Sequence, residues 1–90
     1  MYYIYVIQSQ KRKIIYVGYT NDLRERLKKH NSGKVFSTQF YKPFKLIYYE
    51  AYYNKQDAFE REKFLKSGWG KNYIKRVLKH YFSLQKLGRA

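Results

Sequence analysis

Five residues have the types and spacing to act on one substrate: Tyr5, Tyr16, Arg26, His30 and Glu62. Arg26 and His30 stand four apart in "LRERLKKHN", so on a helix they share a face. With Leu23 set at zero and about 100° per residue, Leu27 lies about 40° away, Arg26 about −60° and His30 about −20°. Arg24, Glu25, Lys28 and Lys29 fall between about 100° and 240°, on the outer side. Glu62 follows the same logic on a later helix. It sits at about 40°, between Ala58 at zero and Leu65 at about −20°, while Glu60 points about 200° away. A guanidinium on an apolar side is costly unless it is paired or opens onto a cleft. A lone carboxylate with water suits a hard divalent ion such as Mg²⁺, and arginine with a metal suits charge stabilisation in phosphoryl transfer.

Each residue also has a structural reading. Arg26 can snorkel from the rim of the core. His30 can be a satisfied, half-buried histidine, and Glu62 can form a salt bridge, with Arg26 as one candidate partner. No Ser-His-Asp set is evident, and His30 and His80 are too few for a multi-His metal site. The chain has no cysteine, which excludes disulfides, thiolate-bound zinc and a thiol nucleophile. A reducing, cytoplasmic setting is expected.

The elements that must position these residues are legible in the local pattern. "YYIYVIQS" (Tyr2 to Ser9) and "KIIYVGYT" (Lys13 to Thr20) are aromatic and β-branched, so both read as strands, joined by a tip at Gln10-Lys11-Arg12. Pairing Gln8 with Lys13 puts Tyr5 opposite Tyr16 on one face. Asp22 to Asn31 reads as a helix, with Asp22 and Glu25 spaced as a capping box. A loop "SGKVFSTQFYKP" follows, in which Gly33 ends the helix and Pro43 precedes a third strand, Phe44 to Tyr53. Asn54 caps a second helix over Lys55 to Lys66, and Gly68 suits its stop. The last segment reads as one helix with a stripe of Tyr73, Val77, Leu78 and Tyr81. The expected fold is α/β of the α+β type: a small three-stranded antiparallel sheet flanked by helices, in the order β-β-α-β-α-α. On this surface the five candidate residues converge on one face of the sheet.

At 90 residues the chain reads as one domain, 1–82, with a basic C-terminal tail, 83–90. Twenty Lys and Arg stand against six Asp and Glu, a net charge of +14. That field draws polyanions, nucleic acid first, with an anionic membrane surface or a ribosome as other candidates. After Glu62 there are eight Lys and Arg and no acid. Lys71, Lys75, Arg76 and Lys79 there are the candidate nucleic-acid-binding residues. No apolar run approaches the ~20 residues of a membrane span, and the N-terminus does not read as a signal peptide. Most of the twelve tyrosines are expected in the core and at its rim, some stacking on bases or donating protons.

Tyr3-Ile4-Tyr5 followed by Tyr16-Val17-Gly18, with eleven residues from Tyr5 to Tyr16, resembles the paired motifs of the GIY-YIG nuclease superfamily. "YTNDLRERLKKHNSGK" is similar to that family's helix, with Arg26 in the position of its catalytic arginine and His30 following. "PFKLIYYEAYYNKQDAFEREKFLKSG" places Glu62 in the position of its metal-binding glutamate. The resemblance covers nearly the whole chain. It is nearest to small stand-alone bacterial members resembling the nuclease domain of the excinuclease C subunit. Tyr3 stands where the family has Gly, and Val17 where it has Ile.

The resemblance implies a metal-dependent endonuclease using one divalent ion, Mg²⁺ or Mn²⁺, on nucleic acid, with DNA ahead of RNA and DNA repair as a setting. Arg26 would stabilise developing charge, Glu62 would hold the metal, and Tyr5 or Tyr16 would orient or deprotonate water. A tyrosine with a pKa near ~10 needs help to act as a base. His30 would support a Tyr hydroxyl or a phosphate. A protein partner for targeting is compatible with this reading. Two others stand beside it: a nucleic-acid-binding module with little or no cleavage, and a basic structural protein of the ribosome or nucleoid.

Charge alone yields one prediction. Neutralising Z phosphates on duplex DNA gives a log–log salt slope of about −0.9Z. Binding titrations across salt concentrations should return a slope of several contacts, made shallower by Lys75→Ala with Arg76→Ala; a flat response would rule out nucleic acid.

Overall fold

Alternation along Tyr2–Ser9 decides the architecture of the computed structural model, which describes residues 1–86. This strand, β1, is the central one. It pairs antiparallel with β2 (Ile15–Thr20) on one side and β3 (Phe44–Tyr52) on the other, giving the order β2-β1-β3. Six of its eight residues are buried because both of its faces are covered. Ile4 and Val6, with Val17, pack against Ala58, Leu65 and Ile74. Tyr5 and Ile7 point the other way and meet Phe44, Tyr16, Leu23 and Leu27. So α1 (Leu23–Asn31) covers one face, while α2 (Lys55–Lys66) and α3 (Gly68–Val77) cover the other, with α4 (Lys79–Lys86) after them. The expected α+β class stands, with one helix more: β-β-α-β-α-α-α. Of the tail expected at 83–90, residues 83–86 lie in α4 and 87–90 lie outside the described residues.

Local chemistry corrects four expectations. The β1–β2 loop is wider than a three-residue tip, and Gln8 pairs with Ile15 rather than Lys13. The cause is Ser9, whose Oγ accepts the N–H groups of Lys11 and Arg12 at 3.1 Å each while its own N–H bonds to the Ile14 carbonyl at 2.9 Å. Tyr5 therefore faces Gly18, and Ile7 faces Tyr16. A slip of two residues preserves the face of every side chain, so Tyr5 and Tyr16 remain neighbours, as a diagonal pair with ring centroids 6.5 Å apart. Gly68 is not a stop but the first residue of α3. Ser67 ends α2 and caps α3, accepting the Gly70 N–H at 3.2 Å.

The last expected helix breaks at Leu78, whose dihedrals leave the helical region. Its buried stripe runs through Ile74, with Tyr73, Leu78 and Phe82 packed beside it, whereas Val77 is exposed. Tyr81 instead donates its hydroxyl to the buried Gln8. Gly70 sits where α3 crosses α2; a Cβ there would overlap the Phe64 carbonyl and the Leu65 backbone.

The orientation of α2 against the sheet is set by one carboxylate. Glu50 on β3 accepts two bonds from Arg61, at 2.7 and 3.0 Å, and one each from the Tyr48 and Tyr52 hydroxyls, at 2.5 and 2.7 Å. The Arg61 guanidinium also lies 5.0 Å from the Phe64 ring centre and 4.8 Å from that of Tyr73. Burial raises the Glu50 pKa, but the bonds from Arg61 and the two tyrosines outweigh it and hold the group below the usual carboxylate value. Tyr52 is pushed up to about 12 by burial and by its bond to Glu50. Removing one partner of such a pair leaves the other charge unsatisfied, at a cost of about 3 kcal/mol. Glu50→Ala should lower stability by that order in denaturant titrations, and Glu50→Ala with Arg61→Met should recover part of it. Equal stability of Glu50→Ala and the parent would show that the clamp does not set the packing.

Candidate active site

The site grows from the two ends of α1. Asp22 caps the first turn, accepting the Glu25 N–H at 3.1 Å; the Glu25 carboxylate pairs with Lys28 instead of closing the capping box. At the far end Gly33 takes φ +78°, and the N–H groups of Gly33 and Lys34 return to the carbonyls of His30 and Lys29 at 3.3 and 3.1 Å. This left-handed stop needs glycine. It stops the helix at Asn31, one residue beyond His30, which is pressed onto the sheet with 0% exposure. Leu23, Arg26 and Leu27 are half-buried, and Arg24, Glu25, Lys28 and Lys29 are exposed, so the helical faces are as the spacing predicts.

A fully buried imidazole must satisfy both nitrogens. His30 Nε2 is 2.8 Å from the Tyr5 hydroxyl, and Nδ1 is 2.7 Å from the Thr38 hydroxyl. The Arg26 Nε–H also donates to the Tyr5 oxygen, at 3.2 Å, and the Thr38 hydroxyl lies 3.5 Å from the Val35 carbonyl, which accepts from it. One proton arrangement satisfies every group: Arg26 donates to Tyr5, Tyr5 to Nε2, Nδ1–H to Thr38, and Thr38 to the carbonyl. It requires neutral His30. Burial, and then the neighbouring Arg26 charge, lower its pKa from 6.5 to about 4. Burial also raises the Tyr5 pKa, against the lowering influence of Arg26, so Tyr5 holds its proton.

The backbone around Tyr5 is built for this chain. Tyr5 is 2% exposed, and its ring lies directly over Gly18, where any Cβ would overlap the phenol carbon and oxygen. That close approach is the physical reason for glycine after Tyr16-Val17. Tyr16 is half-buried, with its ring 5.3 Å from that of His30. Tyr3 packs edge-on against Tyr49, at 5.9 Å, on the same face as Tyr5.

Glu62 corrects the expectation of a single face. Its helix packs on the opposite side of the sheet, and its carboxylate pairs with Lys66 at 3.0 Å rather than with Arg26. It reaches the site electrostatically, since its charge contributes to raising the Tyr5 pKa. Lys66 bridges the two, its Nζ lying 6.0 Å from the Tyr16 ring centre. Tyr5, Tyr16, Arg26 and His30 thus form one contact cluster, and Glu62 with Lys66 stands at its margin. Among the described residues no three His, Cys, Asp or Glu side chains gather as a metal cluster. A half-buried single carboxylate still fits a hard ion that keeps its waters and shares substrate oxygens.

Lys71, Lys75, Arg76 and Lys79 are all exposed. Lys75 and Lys79 line a groove of 490 Å³ with Lys13 and Lys86, beside Ile15 and Phe82. Sequence spacing gave no sign of Thr38, the second partner of His30, or of Lys66. Thr38 lies in a loop without periodicity, and Lys66 looks like an ordinary helix-end cation. No helix among the described residues is long and apolar enough to cross a membrane.

Residues 1–80 match the GIY-YIG catalytic domain. A UPF0213 protein of Clostridium perfringens is 39% identical over 67 residues, covering 73% of this chain and 71% of the relative. A UPF0213 protein of Streptococcus pyogenes is 40% identical over 65 residues, 71% of this chain and 70% of the relative.

His30 supplies a pH prediction. Between pH 6.5 and about 4 the unfolded chain takes up a proton that native His30 refuses. The unfolded state then binds more protons, so stability is full above that window and falls as pH drops through it. Denaturant midpoints should decline from pH 7 towards pH 4, and His30→Asn should flatten the upper part of that decline. A parent curve already flat between 6.5 and 5 would contradict a neutral buried imidazole.

Proposed function

The chain belongs to the GIY-YIG family, and from that premise we propose that it is an endonuclease that hydrolyses phosphodiester bonds in nucleic acid. The observation that carries the proposal is the hydrogen-bonded chain from Arg26 through Tyr5 to neutral His30. A buried phenol is a poor base by itself. A relay avoids the phenolate: the Tyr5 oxygen takes a proton from the attacking water while its own proton passes to His30 Nε2. The resulting imidazolium keeps Nδ1–H on Thr38. Burial is the main influence that depresses His30; a phosphate bound against Arg26 offsets the second, the Arg26 charge, making the imidazole a better acceptor in the complex. Tyr16, whose hydroxyl makes no hydrogen bond among the described residues, orients the water.

Arg26 spends only Nε on Tyr5, and its terminal N–H groups carry no hydrogen bond among the described residues. They are the donors for the phosphoryl oxygens, where a planar fork suits developing charge. GIY-YIG nucleases generally use a divalent metal, and Glu62, now paired with Lys66, is the residue that would hold it. When bound, the ion supplies charge neutralisation at the leaving oxygen. Lys71, Lys75, Arg76 and Lys79 are assigned to the phosphate backbone. DNA is preferred to RNA as substrate, and the setting is cytoplasmic.

One observation favours a second reading, a binding module with little or no cleavage: the Glu62 carboxylate is already neutralised by Lys66. Single-turnover cleavage in Mg²⁺, beside binding in EDTA, separates the two. Arg26→Ala should lose about 10²–10³ in rate, while Arg24→Ala on the outer face should lose little. Glu62→Gln should cut far more slowly yet bind as well or better, with Glu60→Gln as its neutral control. Wild-type binding without any cutting across DNA and RNA substrates would select the binding module.

A further inference from the structure

Two phenylalanines stand in water beside the candidate active site. Phe36 is 85% exposed and Phe40 is 73% exposed. Thr38, midway between them, is buried, and its hydroxyl is the partner of His30 Nδ1. Two consecutive turns create this pattern. The Thr38 N–H bonds to the Val35 carbonyl at 3.1 Å, and the Tyr41 N–H bonds to the Thr38 carbonyl at 3.0 Å. Ser9 Oγ donates to the Tyr41 carbonyl at 2.5 Å. The Asn31 side chain holds both backbone groups of Phe44, accepting at 2.6 Å and donating at 3.1 Å. The loop backbone is therefore pinned at Thr38, Tyr41 and Phe44, and the two rings project from it. Two residues of chain span about 7 Å at most, so both rings are rooted close to the buried histidine.

The charge of the segment that carries the rings says what covers them. Residues 26–49 contain no acid and six cations: Arg26, Lys28, Lys29, Lys34, Lys42 and Lys45. The core of a protein-docking patch is depleted of charged residues, lysine among them. Exposed aromatic rings on a segment rich in cations match the way unpaired nucleotides are held, with phosphates on the cations and bases stacked on the rings. A continuous duplex hides its base faces in its own stack. Building on the reading of this site as one that receives a phosphodiester, we propose that Phe36 and Phe40 stack on unpaired bases flanking that phosphate. The substrate class is then a strand with unpaired nucleotides, such as a single strand, flap or loop, rather than continuous duplex.

The test is equilibrium binding in EDTA by the full chain, using a labelled single-stranded oligonucleotide and a paired duplex of the same sequence, as DNA and as RNA. Wild type should prefer the unpaired strand. Phe36→Ala with Phe40→Ala should weaken that binding at least about tenfold and leave duplex binding unchanged. The salt slope should stay as in wild type, because no phosphate contact is lost. Phe36→Leu with Phe40→Leu should lose as much, since leucine keeps the apolar bulk and removes the π face. Thermal melting of each variant confirms the fold, which these exposed positions should not disturb. Unchanged single-strand binding in the alanine pair overturns the proposal, as does an equal loss on duplex or wild-type binding by the leucine pair, which would mark an apolar docking patch. Cleavage separates this proposal from the nuclease reading. A chain that never cuts but keeps the Phe-dependent preference loses only the activity, whereas one that cuts duplex and unpaired strands alike, with or without the phenylalanines, loses only the stacking.

Discussion

Burying an imidazole is costly unless both ring nitrogens find partners, and that constraint on His30 organises the molecule. Its two partners come from distant parts of the chain, Tyr5 on β1 and Thr38 on the loop before β3. For both to reach it, α1 must end at Gly33, the loop must fold back at Thr38, and β1 must present its odd-numbered residues to α1. Gly18 must also lack a side chain so that the Tyr5 ring can lie over β2. The same chain of bonds that satisfies the burial leaves a phenol between a guanidinium and a neutral imidazole. Structural demand and chemical potential are therefore one arrangement here, not two.

The sheet separates the chemistry from the main apolar core. On the face of α2 and α3, Ile4, Val6, Val17, Ala58, Leu65 and Ile74 form the apolar cluster, with the Glu50–Arg61 clamp and its two tyrosines packed at its side. On the other face Tyr5, Ile7 and Phe44 are buried together with the polar His30 and Thr38, and Arg26 stands at the rim. Adjacent residues on α2 divide the electrostatic work. Arg61 is committed to Glu50 by two hydrogen bonds, while among the described residues Glu62 pairs with the partly exposed Lys66 alone. The committed pair orients the helix, and the neighbouring carboxylate is held by a single ion pair among the described residues. With few acids and one of them locked in this clamp, the positive field over the rest of the surface is scarcely compensated, which suits a polyanionic partner.

Local rules carried far into this chain. The strands starting at Tyr2 and Phe44, a second strand ending at Thr20, the caps Asp22 and Asn54, and the inward turn of Arg26 and His30 all followed from side-chain periodicity and short-range hydrogen bonding, whereas the second strand starts at Ile15 and not at Lys13. These are readable because the residues that decide them lie within a few positions of one another. The errors fell where a decision belonged to one side chain outside the pattern. Ser9 gathered two N–H groups and widened the first loop, shifting the strand register by two. Ser67 took the capping role on both sides of the α2–α3 junction, and the break at Leu78 moved the buried stripe to Ile74.

What the sequence determined by itself was the direction in which Tyr5, Tyr16, Arg26, His30 and Glu62 point from their own strands and helices, because helix and strand periods fix direction from neighbouring residues alone. Which of them meet was decided only by tertiary structure. The contact of His30 with Thr38 spans eight positions through an irregular loop, and that of Tyr5 with His30 spans 25. Glu62 lay on the inward side of its helix as the angles require, yet the packing of α2 on the opposite face of the sheet gave it Lys66 rather than Arg26 as a partner. A helical wheel states where a side chain points relative to its own axis; it carries no information about which side of a sheet that axis will lie on, and that choice was made by the burial of Ala58, Leu65 and Ile74 against Ile4, Val6 and Val17.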